Sequence, residues 1–78
     1  MNNSSFIQTD DQLEFAIFCI ENIAHFLHID TIQLYNKLYE SDILNHYIVA
    51  NYNILHTQDK NYIINDIINI MPEKGVSI

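Results

Sequence analysis

Four histidines and a single cysteine are the side chains in this 78-residue chain whose chemistry reaches furthest beyond packing. His25 and His28 stand one helical turn apart, where two imidazoles could face the same ion. A metal site needs three or four ligands in suitable geometry, and no cysteine pair or HExxH pattern lies beside them. The plainer reading is two cationic rings at a helix C-terminus, where the helix dipole favours positive charge. Cys19 would need a basic neighbour or a helix N-terminus to become a nucleophile. Its nearest polar neighbours are Glu21 and Asn22, so it reads as a small packed hydrophobe. Asp42, Asp59 and Asp66 fit caps or solvent faces better than an acid–base pair. No GxSxG, P-loop, GxGxxG or CxxC occurs. The sequence therefore assigns no catalytic residue, no metal ligand and no cofactor, and the chain is not expected to be an enzyme.

Two places look better suited to contact than to catalysis. The stretch Tyr52–Asp59 gathers Tyr52, His56, Thr57, Gln58 and Asp59 at a corner between two helices. One reading is a patch, Tyr52 with His56 and Thr57, that hydrogen-bonds a partner. The alternative is that His56 ends one helix while Thr57 or Asp59 caps the next. The second place is Phe18, which falls on the polar side of the first helix among Glu14, Glu21 and Asn22. An aromatic with an acidic rim has the make-up of an interface anchor. The alternative covers for Phe18 are the N-terminal residues Phe6 and Ile7 or another helix of the same chain.

The elements that must position these residues follow from helical periodicity. From Asp11 to Leu27, one face carries Leu13, Ala16, Ile17, Ile20, Ile23, Ala24 and Leu27, with Phe15, Cys19 and Phe26 beside it. Glu14, Glu21 and His25 oppose it, and Thr9, Asp10 or Asp11 is the expected cap. Asp30 opens a second helix over 31–40, with Gln33 at capping-box spacing. A third stretch, 42–56, starts at Ser41 or Asp42, with a break possible near Val49. A fourth, 60–71, ends at Pro72. In this last segment a period of two fails, because Asn65 and Asn69 would share a strand face with Ile63 and Ile67. The expected fold class is all-α, a small bundle of about four short helices over 11–72. Residues 1–10 are expected to be a flexible segment and 73–78 a tail.

The bulk composition narrows the function. An apolar share of 49% with 17% charged residues is too hydrophobic for a disordered acidic tail. A folded chain of this size should expose roughly 5,000 Å² and bury about 60% of its extended surface, enough for one thin core. The net charge is −7, and the only basic side chains are Lys37, Lys60 and Lys74. Phosphate backbones need several basic contacts, so no nucleic-acid partner is expected. The acidity instead favours another protein with a basic surface, or serves solubility alone. One cysteine permits no internal disulfide, no run approaches a membrane span, and residues 1–5 lack the regions of a signal peptide. A cytoplasmic protein without a membrane partner is expected.

The order and spacing of several short blocks carry a family resemblance. They are Phe18–Asn22, Ser41–Leu44, Tyr47-Ile48, Tyr52, Leu55–Thr57, Tyr62–Ile64, Asp66–Ile68 and Glu73–Val76. Over residues 12–76 the chain resembles a small bacterial family known as domain of unknown function 3791. Asp59 and Pro72 depart from the glycine and the non-proline residue more usual there, which bears on one turn and one helix end. The family offers no catalytic residues to carry over. The resemblance implies genes lying beside an ADP-ribosyltransferase-like protein, and so an antitoxin-like or accessory role in a bacterial toxin–antitoxin or defence setting. The expected function is a non-catalytic protein-interaction module, with Phe18, Glu14, Glu21, Tyr52, His56 and Thr57 as partner-binding residues. The alternatives are a self-associating homodimer and, third, a ligand-binding or enzymatic site at the His56 corner.

Overall fold

The computed structural model describes residues 7–77. It contains α1 (Asp10–Leu27), α2 (Thr31–Glu40), a π-helical segment (Leu44–Val49), α3 (Tyr52–Leu55), α4 (Lys60–Ile70) and a 3-10 turn (Pro72–Lys74). The described residues contain no strand, so the fold is an all-α bundle. Its accessible surface is 5014 Å², in line with a folded chain of this mass. Among the described residues no single helix is long and apolar enough to cross a membrane. Phe6 and most of the N-terminal segment expected to be flexible lie outside the described residues. Ile7 is half-buried against the core.

Each long helix begins on a side-chain cap. Thr9 Oγ1 accepts from the Gln12 amide at 3.1 Å, and Asp10 and Asp11 place negative charge in the first turn. Asp30 Oδ2 accepts from the Gln33 amide at 3.1 Å. Asp59 Oδ2 accepts from the Asn61 amide at 3.1 Å and starts α4. At the end of α1, His28 adopts φ 60° and ψ 44°, and Ile29 N donates back to the Ala24 carbonyl at 3.0 Å. His28 therefore closes the helix through its left-handed backbone. Pro72 lacks an amide proton and starts the 3-10 turn, which Gly75 closes at φ 83°.

The stretch expected as a third helix over 42–56, with a break near Val49, is split into the π segment and α3. Asp42 sits at φ 68°, outside any helix, so it does not cap in the expected way. From Leu44 the turn widens, and Ala50 N donates to the Asn45 carbonyl, five residues back, at 3.2 Å. The helix then breaks at Asn51. Asn51 turns both its backbone amide, at 3.1 Å, and its side-chain Nδ2, at 2.9 Å, onto the Tyr47 carbonyl. The backbone bond is the ordinary α-helical one, and Asn22 Nδ2 makes the same contact to the Phe18 carbonyl at 2.8 Å inside unbroken α1, so the side-chain bond accompanies the break without causing it. Only the short α3 remains beyond it.

The core is centred on Cys19, Ile23, Leu34, Leu38, Ile43, Ile48 and Ile67, all fully buried. The buried face of α1 is rotated from the stripe read off the sequence. Phe15 and Cys19, expected to flank it, are buried, whereas Leu13 and Ile17, expected on it, are each 44% exposed. The cause is tertiary, because α1 packs against α2, the π segment and α4 together. Phe18 consequently lies at the margin of the core, half-buried, and not on a fully polar face.

Candidate functional site

A groove of about 540 Å³ opens between the first half of α1 and the α3–α4 corner. From α1 come Asp11, Glu14, Phe15 and Phe18, and from the corner and the start of α4 come Tyr52, His56, Gln58, Lys60 and Ile63. A chain of ring contacts forms its floor. Phe18 stacks on Phe15 with centroids 6.2 Å apart, Phe15 meets Tyr52 edge-on at 5.5 Å, and Tyr52 stacks on His56 at 4.3 Å. Helical spacing makes two of these contacts, since Phe15 and Phe18 are three residues apart and Tyr52 and His56 four. The packing of α1 across the bundle supplies the third.

His56 is held in one orientation. Its Nδ1–H donates to the Tyr52 carbonyl at 2.7 Å. A carbonyl can only accept, so the neutral ring carries its proton on Nδ1 and keeps Nε2 as an acceptor. The Tyr52 carbonyl also accepts from the His56 backbone amide at 3.0 Å, and His56 is the residue that ends α3, so it is a helix terminator as well as part of the groove.

The structure brings Phe18, Glu14, Tyr52 and His56 together. Thr57 is not among the lining residues, and its hydroxyl donates to the Ile54 carbonyl at 2.8 Å in the turn. Glu21 lies two turns beyond Glu14 on α1 and lines a second groove, between α1 and α2, with Ile17, Ile20, Thr31, Ile32 and Tyr35. Sequence reasoning misses Phe15, Asp11 and Lys60. Phe15 carries a usable signal, a second aromatic one turn from Phe18.

Cys19, His25 and His28 lie apart from this groove. Burial pushes the Cys19 thiol up to about 12, and its side chain has no exposure. The His25 and His28 rings are 6.5 Å apart. No group of three or more His, Cys, Asp or Glu side chains among the described residues is placed to hold a metal ion. Aromatic faces, two carboxylates and an oriented imidazole acceptor suit the groove to binding cationic and hydrogen-bonding groups.

No curated protein and no solved structure gives a significant match to this chain. Residues 14–74, which include the π segment, α2 to α4 and most of α1, match the model of a family described as "Protein of unknown function (DUF3791)", and the chain belongs to that family.

Proposed function

We propose that the protein is a non-catalytic interaction domain that binds a basic segment of another protein in the Phe18–Tyr52–His56 groove. The observation that carries this reading is the aromatic floor beside Asp11 and Glu14. A lysine or arginine entering there would lie on aromatic faces and pair with a carboxylate, and the two contacts reinforce each other. The net charge of −7 steers such a partner toward the chain. The partner proposed from the family's gene setting is a neighbouring ADP-ribosyltransferase-like protein, with the domain acting as an antitoxin-like or accessory subunit in the bacterial cytoplasm.

The test is titration calorimetry of the full chain against the product of the adjacent gene. Phe18→Ala and a charge-reversed Asp11→Lys, Glu14→Lys double variant should each weaken association at least about tenfold, as central interface residues do. Phe18 is half-buried, so its truncation should cost about 1–2 kcal/mol of folding stability, less than a fully buried phenylalanine. Unchanged affinity in both variants, with native circular dichroism, would sink the proposal.

A further inference from the structure

His56 is the one histidine among the residues lining the Phe18 groove. Histidine is the side chain that gains charge as pH falls from about 8 to about 5. The charges around this one are few. Asp11 and Glu14 stand on the α1 wall and Lys60 at the start of α4, while Tyr52 of α3 stacks on the ring and carries no charge. Asp59 is three residues away in sequence, but it caps α4 and does not line the groove. With His56 neutral, two carboxylates face one ammonium, and the lining is left with one negative charge. With His56 protonated, the lining charges cancel. A single proton therefore removes the electrostatic bias of the groove toward cations.

The two carboxylates are open to an incoming cation. Among the described residues, neither Asp11 nor Glu14 forms an ion pair with Lys60 or His56. The imidazole is also fixed in the way such a change requires. Its Nδ1–H is held on the Tyr52 carbonyl at 2.7 Å, so a further proton enters at Nε2, which has no protein partner among the described residues. That proton turns an acceptor into a donor and adds a positive charge to the groove in the same step. A lysine or arginine of a partner then loses an acceptor, meets a like charge and competes with the imidazolium for Asp11 and Glu14. The other three histidines stand elsewhere, His25 and His28 at the end of α1 and His46 on the π segment, and none lines the groove.

We propose that His56 is a pH gate on this groove: its neutral imidazole admits a basic segment and its imidazolium expels it. The proposal rests on the binding role given to the groove and adds the regulation of that role. Because the bound state favours the neutral ring, affinity rises with pH, and binding releases protons wherever the free ring is partly charged.

The probe is a rhodamine-labelled peptide of alternating arginine and alanine, whose guanidinium groups keep their charge throughout. Its binding to the full chain is followed by anisotropy from about pH 8 to about pH 5.5, above the range in which carboxylates ordinarily titrate. Wild-type affinity should fall at least about fivefold across that range. His56→Gln, which cannot gain charge, should flatten the profile, and His56→Lys should bind weakly at every pH. His25→Gln, away from the groove, should keep the wild-type slope. Calorimetry of the wild type at about pH 6.5 in buffers of different ionisation enthalpy should show proton release on binding, a readout that needs no variant. A flat wild-type profile, or a slope that survives in His56→Gln, would overturn the gate and leave the binding role standing. Proton uptake, or no proton exchange, would do the same. A peptide that binds the wild type at about pH 8 no better than the Asp11→Lys, Glu14→Lys double variant would overturn the gate and the binding role together.

Discussion

The Tyr47 hydroxyl donates a hydrogen bond to the Asp66 carboxylate, tying the π segment to α4 across 19 residues of sequence. That bond, followed by partial burial and the charge of Asp66, pushes the Tyr47 phenol up to about 12 from its ordinary 10.0. The folded chain therefore holds this proton more tightly than the unfolded chain. The stabilisation is complete below pH 10.0 and is lost as pH rises through about 12. Tyr47→Phe should cost about 1 kcal/mol at neutral pH, the solvent contact of the pair reducing its worth. Urea titrations should show the gap between wild type and variant closing as pH climbs from 10.0 toward about 12. A gap that widens over that range would contradict the assignment.

His28 closes α1 at φ 60°, a conformation that glycine adopts without steric cost. His28→Gly removes that strain but gives the unfolded chain more freedom. The net expectation is a stabilisation of about 0.5 kcal/mol, seen as a rise of a few degrees in Tm. A fall in Tm would mean that the imidazole contributes more than its backbone costs.

Cys19 should be inert in the native chain. Its full burial and raised pKa leave almost no accessible thiolate at neutral pH. A disulfide reagent such as DTNB should react slowly with the folded protein and rapidly in denaturant. Labelling of the native chain at the rate of free cysteine would show that α1 opens readily.

Duplex DNA should not bind at physiological salt. Lys60 lines a different hollow from Lys37 and Lys74, so the three form no stripe, and the net charge opposes approach to phosphate. Anisotropy titration should stay flat, and a salt-sensitive micromolar isotherm would refute this.

Helix positions are legible in the sequence because capping side chains and periodic apolar residues encode them locally. Asp30 and Asp59 cap as their positions indicate, and Pro72 ends α4 as its chemistry requires. The rotation of the α1 face is not legible, since Leu13 and Ile17 are as apolar as the residues buried in their place. Only the placement of α2 and α4 decides which side is covered. The π turn is equally hidden. It contains buried Asn45 and depends on which carbonyl each amide selects, a choice that composition does not record. Of the candidate site, Phe18 stands out because it breaks a pattern. Phe15, which supports it, is marked only by its spacing of one helical turn from Phe18.

The widened turn at Leu44–Val49 also bears on how the length of this chain can change. A π turn holds one residue more than the α turn it replaces. Deleting one residue there would tighten the helix to ordinary geometry, with little rotation of the residues downstream. The same deletion inside α1 or α4 would swing every later side chain by about 100° around the helix and turn core residues toward water. The segment is thus a slack point in the backbone, where a single-residue deletion would be tolerated while the regular helices reject one.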